Sequence, residues 1–349
     1  MRDFVGHLAK ASALAFCALV AGGPPSRAQT MADVAAMTGP ERMERIVAGA
    51  KRENALMIYS SATTEDMAPI VASFEKAWGI KVRTWRGSSE DIRQRGITEA
   101  RAGRHDADIF ETAGTELEPM QREGVMQEMK SPTIADLAPQ ALRPHREWVA
   151  SRVSTYVASY NTKLIRKEDA PRRYEDLADP RWKGKLGIEA EDAGWFMMLS
   201  SVMGAEKAEA LFRQIVRTNG ISVRKGHTLL ANLVVSGEVP LGLTLYGYKA
   251  GQLEADGAPL AQLNLPPPIA QTTGISLARK APHPFAAALF WEHYLTEGQK
   301  ILAAQHNVPV NTKVRPVPPE LVFLDPARFI DEGARWQKLF REIFINQSR

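Results

Sequence analysis

Cysteine is almost absent: the 349 residues contain only Cys17, and it lies in the N-terminal segment. A chain trimmed of that segment has no disulfide, thiolate metal site or cysteine nucleophile, so its stability must come from its core. Long apolar runs are also missing. Residues 11–21 (ASALAFCALVA) fall short of the roughly 20 needed to span a bilayer, and no later run reaches that length. Neither sign of charge dominates, with 44 Lys and Arg against 40 Asp and Glu for a net charge of +4, which excludes a polybasic nucleic-acid binder. No repeat or low-complexity tract is present. Catalytic signatures are missing too: there is no Gly-x-Ser-x-Gly elbow, phosphate loop, His-Glu-x-x-His or Gly-x-Gly-x-x-Gly. Beyond the N-terminal segment the histidines (His105, His145, His227, His283, His293 and His306) are dispersed without ligand spacing, so no metal or cofactor is expected and the chain reads as a non-enzyme.

What is present begins with an export signal. Arg2 and Lys10 precede the short apolar run, Pro24 and Pro25 break it, and Ser26-Arg27-Ala28 offers the small residues of a cleavage site. Cleavage near Ala28/Gln29 sends the mature chain to a periplasm with no membrane insertion. Cys17 sits inside the apolar run, so it is not a lipid-attachment site. The 321 residues left exceed the usual single domain and favour two lobes.

Alternation of elements sets the fold class. A helix over residues 39–54, with Met43, Ile46 and Val47 at helical spacing, leads into a strand over 55–60. The polar turn Ser61-Ala62-Thr63-Thr64 then opens a helix over 67–78. Strands over 80–85 and 107–111 repeat the pattern, each followed by a turn rich in small hydroxyl residues. A strand over 152–160, another over 186–189 before a helix start at Glu191–Trp195, and a strand over 239–248 carry the style onward. In that last strand, period-2 alternation puts Tyr246 and Tyr248 on one face. Such alternation implies α/β architecture with mostly parallel sheets flanked by helices and ligands beyond the carboxyl ends of the strands. Unpaired N–H groups at the helix starts suit an anion, although Ser and Thr in those turns also serve as helix caps.

The order of motifs resembles the class II periplasmic solute-binding proteins of ABC importers, in the branch with ferric-ion, thiamine, phosphonate and sugar-phosphate binders. The stretches that carry it are Leu56-Met57-Ile58-Tyr59-Ser60-Ser61, Gly87-Ser88-Ser89, Ala107-Asp108-Ile109, Tyr160-Asn161-Thr162, Asp179-Pro180-Arg181-Trp182-Lys183-Gly184-Lys185, Ser236-Gly237-Glu238, Thr273-Gly274-Ile275 and Glu297-Gly298-Gln299. The resemblance implies a type II periplasmic-binding-protein fold: two lobes, each a mostly parallel sheet with helices, and a cleft between them. Residues 1–28 would be the signal, 29–155 the first part of lobe 1, 156–265 lobe 2, and 266–349 the return to lobe 1 with C-terminal helices packing across both. The implied partners are an inner-membrane ABC permease and a small anionic solute of phosphonate, sugar-phosphate or carboxylate type, trapped by a monomer through hinge closure.

Contacts expected at that solute are Ser60, Ser61, Thr63, Ser88, Ser89, Thr112 and Ala113 from lobe 1 and Trp195, Thr228, Tyr246 and Tyr248 from lobe 2, with Arg86 and Arg224 nearby. Ferric binders of the family use a His in the first turn and two adjacent tyrosines. Here the turn has no His, and Tyr246-Gly247-Tyr248 replaces the pair. The alternative reading is therefore Fe(III) as cargo on Tyr246 and Tyr248 with a bound anion such as carbonate or citrate, because Fe(III) favours hard anionic oxygen donors. A hydrolase using Glu189 or Asp192 as base is the distant alternative.

Overall fold

A computed structural model describes residues 29–346, so the export-signal reading of residues 1–28 lies outside the described residues. Eight strands form one path in the order Lys81–Arg86, Ala55–Ser60, Ile109–Ala113, Ile269–Ala278, Val149–Asn161, Leu241–Tyr246, Leu186–Glu189, Ser222–Arg224. The three at one end are mutually parallel, as are the three at the other. Between them Ile269–Ala278 and Val149–Asn161 run antiparallel to their neighbours, which makes the sheet mixed rather than mostly parallel. The 13-residue strand Val149–Asn161 explains the join. Its first half pairs with Ile269–Ala278, its second half with Leu241–Tyr246 and Leu260–Leu263, and the partner changes between Thr155 and Tyr156.

Hydrophobic periodicity places the helices. Helix Thr64–Trp78 buries Met67, Ile70 and Phe74 and stops at Gly79, whose φ of 74° suits a residue without Cβ. Helix Arg42–Glu53 turns Ile46 and Ala50 inward but leaves Met43 exposed. Two main cores result. One gathers Ile58, Phe74, Phe110, Trp148 and Phe290 around the first strands, and the other gathers Trp195, Phe196, Phe212 and Phe344 around the later ones. Helix Pro326–Phe340 touches both sides, packing on Gly114–Arg122 and on Ala193–Met203. No helix among the described residues is long and apolar enough to cross a membrane.

Candidate metal and solute site

The hydroxyl turns of the first half use their own polar capacity. Ser60 Oγ donates to Glu111 Oε2 at 2.6 Å and accepts the Ala62 N–H. The Ser61 N–H goes to the Glu111 carbonyl. Thr63 Oγ1 accepts the Asp66 N–H and so caps its helix. Ser88 forms a complete capping box with Asp91, directly before Ser89 opens the helix. Ala113 caps the Gly114–Arg122 helix without a side-chain bond, and the Thr112 hydroxyl is buried without a partner.

The first turns of these three helices also carry Glu65 with Asp66, Glu90 with Asp91, and Glu116. Carboxylates there already balance the positive helix end and repel a second anion. These starts are poor cradles for a small anionic solute and good neighbours for a cation.

The later strands end differently. Glu189 closes strand Leu186–Glu189 and is 2% exposed. Its Oε1 accepts the Gly226 N–H at 2.8 Å and its Oε2 the Glu191 N–H at 2.6 Å. Each carboxylate oxygen is thus held by a backbone donor and keeps a second lone pair. Three residues on, Asp192 precedes helix Ala193–Met203. Burial, and then the Glu189 charge, push its carboxyl well above the usual range, and its Oδ2 has no hydrogen-bond partner. His227 starts the helix after Ser222–Arg224, the strand that pairs Arg224 with Glu189. Its Nδ1 lies 2.9 Å from the Thr244 carbonyl, which can only accept, so the ring proton is on Nδ1. The bare Nε2 therefore faces Asp192 Oδ1 at 3.4 Å. Burial lowers the imidazole pKa to about 4, which keeps the ring neutral near pH 7.

The tyrosines complete this wall. Tyr246 ends its strand, stacks on His227 at 3.7 Å between ring centroids, and accepts a hydrogen bond from Gln271 Nε2 at 2.6 Å. Tyr248 is not on the strand, contrary to the one-face expectation: the strand stops at Tyr246, and Tyr248 sits in the first turn of helix Gly247–Ala255. The two rings still stack, 6.0 Å apart. Gly247 accounts for the spacing, because a Cβ there would collide with Thr155 Oγ1. A second tyrosine directly after Tyr246 has no room, and the ring is displaced by one residue. Burial pushes the Tyr248 phenol up to about 12, with buried Arg152 pulling the other way, and its hydroxyl meets Asp66 of the first half. Gln252 of the same helix donates to Asp66 Oδ1 at 3.2 Å. Arg152 itself is held by Glu111 at 2.9 Å and by the Tyr294 hydroxyl.

Of the other expected contacts, Thr228 is exposed beside His227. Trp195 is placed in the core, with its ring 5.6 Å from Phe212 and 5.9 Å from Tyr174. His227 escaped sequence reasoning because it stands 35 residues beyond Asp192. The available signal was topological: Glu189 and Arg224 end neighbouring parallel strands, and ligands gather beyond such ends.

Residues 107–332 match the family of bacterial extracellular solute-binding proteins. The chain is similar to the Fe(3+)-binding periplasmic protein of Serratia marcescens, 24% identical over 202 residues that cover 57% of this chain and 59% of that one. It thus spans less than two thirds of that relative. It is also similar to iron uptake protein A1 of Synechocystis sp. (strain ATCC 27184 / PCC 6803 / Kazusa), 24% identical over 284 residues, 74% of this chain and 78% of the relative. Iron-bound HitA from Pseudomonas aeruginosa shares the fold with a TM-score of 0.70 at 21% identity, covering 83% of this chain and 99% of HitA.

The expectation that no metal is involved is thereby corrected. Glu189, Asp192 and His227 offer one ligand atom each, all within 4.8 Å of one another, in a chain whose relatives are named for iron. The chain belongs to the bacterial extracellular solute-binding proteins, of the class II type that serves ABC importers, and is not an enzyme.

Proposed function

We propose that the protein is the periplasmic binding component of an ABC importer and that its cargo is Fe(III), held by the phenolates of Tyr246 and Tyr248 together with a small anion. In this reading, residues 29–155 and 266–349 form one lobe and 156–265 the other. They close on a cleft between the acid-bearing helix starts of the first and the strand ends of the second, and an inner-membrane permease receives the load. The carrying observation is the stacked pair Tyr246 and Tyr248, with the Tyr248 hydroxyl on Asp66 of the first half. Hard oxygen donors in an acid-rich setting attract a small, highly charged cation and repel a bare anion.

Titration of metal-stripped mature protein with ferric citrate tests the reading. One iron per chain, by elemental analysis, should appear together with a visible tyrosinate-to-iron charge-transfer band. Tyr248→Phe should remove most of that band. Because the Tyr248 proton must leave on loading, affinity should rise with pH and loading should release protons. Colourless protein without bound iron would end the ferric reading.

A further inference from the structure

We propose that Glu189, Asp192 and His227 form a metal site in their own right, which takes a divalent first-row transition ion through His227 Nε2 and one oxygen from each carboxylate. The Thr244 carbonyl fixes the proton on Nδ1, so the lone pair of Nε2 points at Asp192 Oδ1, 3.4 Å away. The two atoms stand farther apart than a strong hydrogen bond, and a cation would join them. A second sign is Asp192 Oδ2, which is buried on a residue only 4% exposed and has no hydrogen-bond partner, although the Thr244 and Tyr156 side chains adjoin the carboxyl. A buried acceptor left unmatched is costly unless something pairs with it. Glu189 brings further negative charge. Its two backbone bonds leave each oxygen a second lone pair and fix where that lone pair points.

The donor set selects the ion class. One imidazole and two carboxylates suit Zn(II), Co(II), Fe(II) or Mn(II), whereas Fe(III) finds no phenolate in this triad. The geometry needs only a small contraction. Donors about 2.1 Å from an ion lie at most about 4.2 Å apart, against a present spread within 4.8 Å. Orientation of the imidazole by a backbone carbonyl on its far nitrogen is the arrangement that metal-bound histidines adopt. The proposal is independent of the ferric reading, because neither Tyr246 nor Tyr248 is a ligand in it.

Co(II) is the probe, since its bound form is coloured and its coordination is legible in the visible spectrum. Metal-stripped full-length mature protein should bind one Co(II), Zn(II) should displace it, and Tyr248→Phe should bind it unchanged. His227→Gln and Asp192→Asn should each weaken binding by at least about tenfold. A readout on the unmutated protein guards against variants that fail to fold: the Cu(II)-loaded form should show hyperfine splitting from a single imidazole nitrogen. Absence of Co(II) and Zn(II) binding, absence of nitrogen splitting, or undiminished Co(II) affinity in folded His227→Gln would each overturn the proposal. The two readings separate cleanly. Ferric colour without Co(II) binding leaves the ferric function and removes this site, and Co(II) binding without ferric colour does the reverse.

Discussion

The strand ends of the two halves look alike in sequence and behave oppositely in structure. The hydroxyls of Ser60, Thr63 and Ser88 are engaged, with Glu111 or with their own helix starts. Around Glu189, Asp192 and His227, an imidazole nitrogen and a carboxylate oxygen are left facing each other or facing nothing. A polar turn that satisfies itself is architecture. Buried and unspent polar capacity can mark a binding site, and at Asp192 it lies beside an imidazole nitrogen and a second carboxylate.

Three substitutions or titrations test that division. The largest expected effect comes from Trp195→Ala. If Trp195 is core, as its packing against Phe212 and Tyr174 indicates, the change should cost about 3–5 kcal/mol in denaturant unfolding. The folded fraction should still load metal. Lost metal binding at undiminished stability would move Trp195 to the site and blur the line between core and cleft.

The next effect is a pH dependence specific to the second half. The His227 pKa falls to about 4 in the folded protein from an ordinary value of 6.5, so the unfolded chain takes up the proton first. Its contribution is therefore intact above pH 6.5 and is lost progressively as pH falls toward 4, by about 3 kcal/mol in all. Urea unfolding of the metal-free protein and of His227→Gln across that range should differ by this loss, which the difference separates from the opposite contribution of Asp192, whose raised carboxyl stabilises the fold as pH falls. An unchanged slope in the variant would mean that the ring is not buried as described.

The smallest effect belongs to the first half. Ser88→Ala removes one helix cap and should cost about 1 kcal/mol while leaving affinity for iron and Co(II) unaltered. A drop in affinity larger than the drop in stability would restore the hydroxyl turns as cargo contacts.

Much of the architecture was legible in the sequence for simple reasons. Helix Thr64–Trp78 announces itself through Ile70 and Phe74, strand Ala55–Ser60 through an unbroken apolar run, and Thr63 and Ser88 through their place at helix starts. The errors have equally local causes. Alternation of large residues was carried through Gly247 as if the strand continued, whereas the strand stops at Tyr246 and a helix begins at Gly247, where a side chain would crowd Thr155. The parallel character was overstated because residues 152–160 read as an ordinary strand with nothing in them to state direction, and Ile269–Ala278 did not read as a strand at all. His227 carries no signal of its own. Its role depends on which strand lies beside Leu186–Glu189, a fact of pairing that linear spacing does not encode.

The strand Val149–Asn161 acts, in mechanical terms, as a single beam built into two walls. Residues before Tyr156 close one sheet and residues from Tyr156 onward close the other, so neither wall owns the strand. Cutting the chain between Thr155 and Tyr156 would part residues 29–155 from Ile269–Ala278, the strand their sheet pairs with, and open that core to water. Separate expression of residues 29–155 should accordingly give an insoluble fragment. Any evolutionary or engineered exchange of the half that holds Glu189, Asp192 and His227 must carry the later part of this strand with it.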